Sequence, residues 1–79
     1  MPRFYFHLQQ DGNLWKDDIG LELPSIEQAR IEAVKGAADE ARDRIIKGRP
    51  LGTDHYEVAD DSGDTLLIIP LDGVPSSSN

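Results

Sequence analysis

Between Ser25 and Gly48 the chain holds one capped stretch at helical spacing, and on either side of it lie only short alternating segments. This arrangement constrains the fold more than any other feature, because a lone amphipathic helix must bury its stripe against strands. Ser25 suits the N-cap, and Gln28 three residues later predicts a capping box in which each side chain satisfies the other residue's backbone N–H. Pro24 sets the entry direction without costing a helical hydrogen bond. Ile26, Ala29, Ala33, Val34, Ala37, Ala41 and Ile45 then draw one apolar stripe, mostly alanine, so the helix can lie close to what it covers. Gly36 beside the stripe weakens the helix by about 1 kcal/mol relative to alanine. The opposite face is expected to carry Glu40 with Arg44 and Asp43 with Lys47, each acid four residues before its base. Gly48 suits the residue after the cap and Pro50 stops continuation, so the predicted helix covers 26–47.

The flanking segments read as two hairpins. In Arg3-Phe4-Tyr5-Phe6-His7-Leu8, the residues Phe4, Phe6 and Leu8 point one way and Arg3, Tyr5 and His7 the other. Asp11-Gly12 supplies a tight turn into a short returning strand, Leu14-Trp15-Lys16-Asp17. Residues 17–24, with Gly20 and Pro24 as breakers, are expected to form an irregular connection. After the helix, His55 to Ala59 alternates with Tyr56 and Val58 facing in, and Asp60 to Asp64 is a turn with Gly63 in the left-handed position. Thr65 to Leu71 is apolar on both faces, and Pro70 marks its end.

The order β-β-α-β-β predicts an α+β two-layer domain: a four-stranded antiparallel sheet with one helix on one face, over residues 1–73. Residues 74–79, with Pro75 and three serines, read as a disordered tail. The strand order is left open, with 2-1-4-3 one possibility. No second helix exists to cover the other face of the sheet, where Tyr5, His7, Leu67 and Ile69 are expected to meet. Trp15 joins them as an interface residue, since tryptophan is enriched at interfaces. The expectation is a homodimer through that face.

Charge narrows the function. Fifteen acids against eight bases give a formal charge of −7, which argues against nucleic-acid binding through a broad basic surface. Residues 25–48 hold five acids and five bases, so the excess lies in the hairpins, connections and tail. Asp17, Asp18 and Glu22 form one cluster and Asp60, Asp61 and Asp64 another, and both are candidates for meeting a basic protein partner. Turn capping explains the same aspartates, and neither cluster has the register of an EF-hand. Basic residues Arg42, Arg44, Lys47 and Arg49 gather at the helix end, where they suit its dipole.

Other chemistries find little support. With no cysteine, a disulfide framework, a thiol nucleophile and a thiolate metal site are excluded. His7 and His55, with nearby acids, could serve a metal or small-molecule site, yet both read as outward strand residues with no nucleophile in context. No glycine run cradles a phosphate, so no cofactor and no catalytic residue is expected. The longest apolar run, residues 66–71, is far short of a membrane helix, and the opening residues lack a signal-peptide pattern. A cytoplasmic protein with no membrane partner follows as the expectation.

Three stretches together resemble a family of short proteobacterial proteins, common in alphaproteobacteria, built on a domain of unknown function. These are Pro2-Arg3-Phe4-Tyr5-Phe6-His7-Leu8, then Asp18-Ile19-Gly20-Leu21-Glu22-Leu23-Pro24 running into Ile26, Ala29, Arg30, Glu32 and Ala33, and the hairpin around Val58-Ala59-Asp60-Asp61-Ser62-Gly63. The resemblance runs from residue 2 to about 71. It implies a stand-alone cytoplasmic protein without established activity and brings no catalytic residues. A weaker similarity, on Leu23-Pro24, Glu27, Ala29 and Ala33, is to antitoxins of the HicB type. Those place a third strand before the helix and a DNA-binding extension, and neither is legible here. The sequence therefore predicts a small acidic, non-catalytic interaction module.

Overall fold

The computed structural model describes residues 1–72, so the tail expected at 74–79 lies outside the described residues. Alternation makes the first strand, β1 (Arg3–Gln10), and a two-residue turn returns it as β2 (Asn13–Trp15). Asp11 and Gly12 take φ of 53° and 81°, the pair of left-handed conformations that matches the twist of a hairpin. A third strand, β3 (Leu21–Glu22), follows where an irregular connection was expected, and pairs with Arg3 and Phe4 of β1. Leu8 lies opposite Trp15 and Phe4 opposite Leu21. Four steps along β1 thus answer six along the returning chain, and the surplus bulges out around Asp17.

The helix, α1 (Ile26–Ile46), starts at Ser25, whose Oγ accepts from the Gln28 N–H at 3.2 Å. The reciprocal half of the expected capping box is absent: the Gln28 amide turns along the helix to Glu32 at 3.4 Å. At the other end Gly48 takes φ +70°, its N–H donates to Ile45 O, and the Arg49 N–H donates to Arg44 O. That pair of bonds is a Schellman ending.

Strands β4 (His55–Ala59) and β5 (Thr65–Pro70) complete an antiparallel sheet in the order β2-β1-β4-β5, with β3 also on β1. The chain is an α+β domain, with five strands among the described residues rather than four. Strands β4 and β5 are the third and fourth of the four strands expected, and since β4 and not β5 lies beside β1 the order in that numbering is 2-1-3-4, not 2-1-4-3. Ala29, Ala33, Ala37 and Ala41 face the sheet, and Ala29 and Ala33 form the core with Phe4 and Val58. Phe6, Leu23, Ile26, Leu67 and Ile69 pack around that core.

Two expectations at the helix end fail. Ile45 is 68% exposed, and the buried position in its place is Arg44, at 1%. The stripe steps from Ala41 to Arg44 because the loop after the helix supplies acceptors. Arg44 pairs with Asp54, bonds Glu40 at 3.1 Å, and approaches the carbonyls of Pro50 and Leu51. The Glu40–Arg44 pair therefore exists, but it points inward. Asp43 and Lys47 pair on the surface at 3.3 Å, as the spacing predicts.

Candidate interaction surface

The register fixes which side chains share a face, because residues opposite one another in an antiparallel pair point the same way. Phe6, Val58 and Leu67 form one row, and Leu8, Tyr56 and Ile69 another, all on the helix side. Leu67 and Ile69 are accordingly packed against the core and do not belong to the open face. Their places there are taken by Ile68, 58% exposed, and Thr65, while Leu66 is the extra residue where the pairing slips between Val58 and Ala59. Trp15 is opposite Leu8, so it also lies on the helix side, beyond the reach of α1 and largely exposed. Tyr5 and His7 do lie on the open face, their rings stacked with centroids 6.5 Å apart. The proposed five thus divide, two on the open face and three on the other.

His7, Glu57 and Ile68 run across the open face in one row, and Gln9, His55 and Pro70 in the next. His55 Nε2 bonds Glu57 at 3.1 Å and its Nδ1 bonds Thr53 O at 3.0 Å. The Thr53 carbonyl raises the His55 pKa, with help from Glu57 and against partial burial. His7 Nδ1 accepts the Asp17 N–H at 3.0 Å, which places any proton of a neutral ring on Nε2. Among the described residues no group of three histidines and carboxylates is placed to hold a metal ion.

The fold gathers the two acidic clusters around Tyr5. Its hydroxyl donates to Asp61 at 3.2 Å, while Gly20 of the Asp17 bulge lies against its ring. The Tyr5 pKa is raised by desolvation, by the Asp61 bond and by the neighbouring carboxylates. The six acids differ in what they are free to do. Asp17 fills the gap between β2 and β3: its carboxylate accepts from the N–H groups of Phe6, Ile19 and Gly20 at 3.0–3.1 Å. Partial burial pushes its pKa up, but the Gly20, Phe6 and Ile19 N–H groups outweigh that and hold it below the ordinary value. Glu22 pairs with Arg3 at 3.0 Å. Asp60 accepts from Ser62 and Asp64 within its own turn. Asp18, Asp61 and Asp64 are exposed and have no cationic partner among the described residues.

The family model for a domain of unknown function, DUF6894, matches residues 3–72. The chain belongs to that family. No curated protein and no solved structure matches it. No helix of the DUF6894 domain is long and apolar enough to cross a membrane among the described residues.

Sequence reasoning missed a groove of about 250 Å³ between α1 and the sheet, lined by Phe6, Leu21, Glu32, Ala33, Gly36 and Tyr56. Gly36 is the signal that could have found it. A Cβ there would meet the Tyr56 ring at 3.8 Å, an ordinary contact, so packing does not demand glycine. Desolvation raises the Tyr56 pKa, and Glu40 adds to it.

Proposed function

We propose that this DUF6894 domain is a small acidic, non-catalytic interaction module of the bacterial cytoplasm. It associates with itself through the sheet face opposite the helix and meets a basic partner with its acidic turns. One observation carries the reading. Tyr5, His7, Thr65 and Ile68 lie on a sheet face that no second layer covers among the described residues. An apolar patch left open beside polar residues favours association. The carboxylates of Asp18, Asp61 and Asp64 supply the charge for a partner, while Asp17 and Asp60 serve their own loops. A non-catalytic role is supported by the helix-side groove, whose one carboxylate, Glu32, is already 3.8 Å from Lys35. Catalysis asks for several converging polar groups.

The test is sedimentation of the protein from micromolar to millimolar concentration, with capture of partners at low and high salt. A dimer weakened by Tyr5→Lys, and a partner lost both at high salt and on replacing Asp18, Asp61 and Asp64 by lysine, would support the reading. A monomer at every concentration together with unchanged capture by the lysine variant would overturn it. A second reading, a binding module of the HicB antitoxin type, is favoured by β3, which stands where those proteins place a third strand. It requires a captured partner that arrests growth when produced without this chain.

A further inference from the structure

The two edges of the sheet differ in strand length and in charge. On the β1 side the edge is broken into β2 and β3, three and two residues long, with the Asp17 bulge between them and Lys16, Asp17, Asp18 and Glu22 along it. Short strands, bulges and charge are the devices that stop an edge from pairing with another chain. On the other side β5 runs for six residues as Thr65-Leu66-Leu67-Ile68-Ile69-Pro70 without a charge; its one irregularity is a bulge at Leu66, and no strand pairs with its outer edge among the described residues.

The backbone of β5 is also phased for pairing. The Leu71 N–H donates to Asp54 O at 3.0 Å, towards β4. Alternation then turns the N–H and C=O groups of Ile69 and Leu67 to β4 and those of Ile68 outward, while Leu66, the extra residue where the pairing slips between Val58 and Ala59, turns its N–H to β4. Pro70 falls on the outward phase as well, so its missing N–H costs the β4 ladder nothing. We propose that this edge pairs antiparallel with β5 of a second copy about a two-fold axis, joining two sheets into one. The inference deepens the self-association reading, rests on it, and names an edge in addition to the face.

A second copy is the occupant that the charge pattern favours. A strand with charges along its middle would set them against Ile68, whereas an uncharged β5 does not. An antiparallel pair of identical strands is also self-complementary, as a two-fold interface requires. The same geometry sets the Asp64 end of one strand beside the Asp72 end of the other. Added salt therefore strengthens this contact, whereas it would weaken the grip of an acidic turn on a basic partner.

Amide hydrogen exchange of the full chain tests the proposal. From micromolar to millimolar protein, the Ile68 amide should gain about tenfold protection or more. The amides of Leu67 and Ile69, held by β4, should be protected throughout. Ile68→Pro removes the outward donor without touching the β4 ladder and should raise the dimer dissociation constant about tenfold. The dichroism spectrum reports whether the variant folds, and exchange in the unaltered protein needs no variant at all. Fast exchange at Ile68 in a dimer that Tyr5→Lys disrupts would overturn the edge and keep the face. Protection independent of concentration would overturn it in favour of a segment of the same chain, and a monomer at all concentrations would overturn both.

Discussion

Asp54→Ala is expected to destabilise the domain by about 3 kcal/mol, the lower end of what breaking one side of a buried ion pair costs. The magnitude follows from what remains. Arg44 and Asp54 are 1% and 8% exposed, and Asp54 also accepts the Asp11 N–H at 3.2 Å, tying the first hairpin turn to the helix end. Without Asp54 the guanidinium keeps Glu40, which is partly solvated, and two carbonyls at 3.5 Å. Its Nη2 is already buried without a partner. At roughly 0.05–0.15 kcal/mol per residue, a domain of this size has about 4–12 kcal/mol in all, so the loss is a large share. Urea unfolding at pH 7 should move its midpoint down by about 2–3 M.

The double variant Arg44→Met, Asp54→Ala removes the stranded charge and should recover about 1 kcal/mol or more of that loss. A single variant within about 0.5 kcal/mol of the parent, or a double variant that loses the sum of the two singles, would refute the reasoning. The pH dependence gives a second reading. Burial raises the Asp54 pKa, but Arg44 and the Asp11 N–H outweigh it and hold it below its unfolded value. The contribution is therefore complete above the unfolded pKa, about 4, and is lost as pH falls through the folded one. The double variant should show a shallower loss of stability on acidification.

Three further perturbations separate parts of the fold. Asp17→Ala strips three N–H groups of their acceptor and should cost about 2 kcal/mol by urea unfolding; because the Asp17 pKa is lowered, the loss should be seen at pH 7 and shrink below pH 4. Gly20→Ala places a Cβ 2.9 Å from the Tyr5 ring at φ +74°, and should cost roughly 2 kcal/mol, while Gly36→Ala should stabilise thermally by up to about 1 kcal/mol. His55 has a raised pKa, so its contribution is complete below the unfolded value of about 6.5 and is lost as pH rises through the folded one; a ring titration by NMR at or below the unfolded value would contradict this.

Legibility in the sequence followed the strength of the local signal. The helix declared itself through Ser25, the alanine spacing and Gly48, and Asp11-Gly12 declared the first turn. Strand β3 did not, because two residues cannot show alternation and their strand state comes from Arg3 and Phe4 across the ladder. Arg44 was misplaced for a related reason. Helical spacing allowed either Ile45 or Arg44 to follow Ala41, and hydrophobicity alone chose isoleucine. The acceptors that reverse the choice, Asp54 and the carbonyls of Pro50 and Leu51, belong to a loop whose path local pattern does not reveal. Of the six acids singled out, the sequence showed where charge concentrates but not which carboxylates are spent on backbone N–H groups.

Strand β5 shows how the error and the inference share one cause. Thr65 to Ile69 carries no charge on either face, so period two has no phase to read, and Leu67 and Ile69 looked as available as Leu66 and Ile68. Only the register against Val58 and Glu57 assigns the faces. Strands β1, β3 and β4 hold ionisable residues within the strand: Arg3 and His7 on β1, Glu22 on β3, His55 and Glu57 on β4. A phase-free strand is tolerable in a sheet interior, where both sides are paired and both faces are covered. On an outer edge with one face open, the same composition leaves donors, acceptors and apolar side chains exposed together. A second strand along that edge would satisfy all three at once, and the charge missing from β5 is what lets an identical strand lie there without repulsion along its middle.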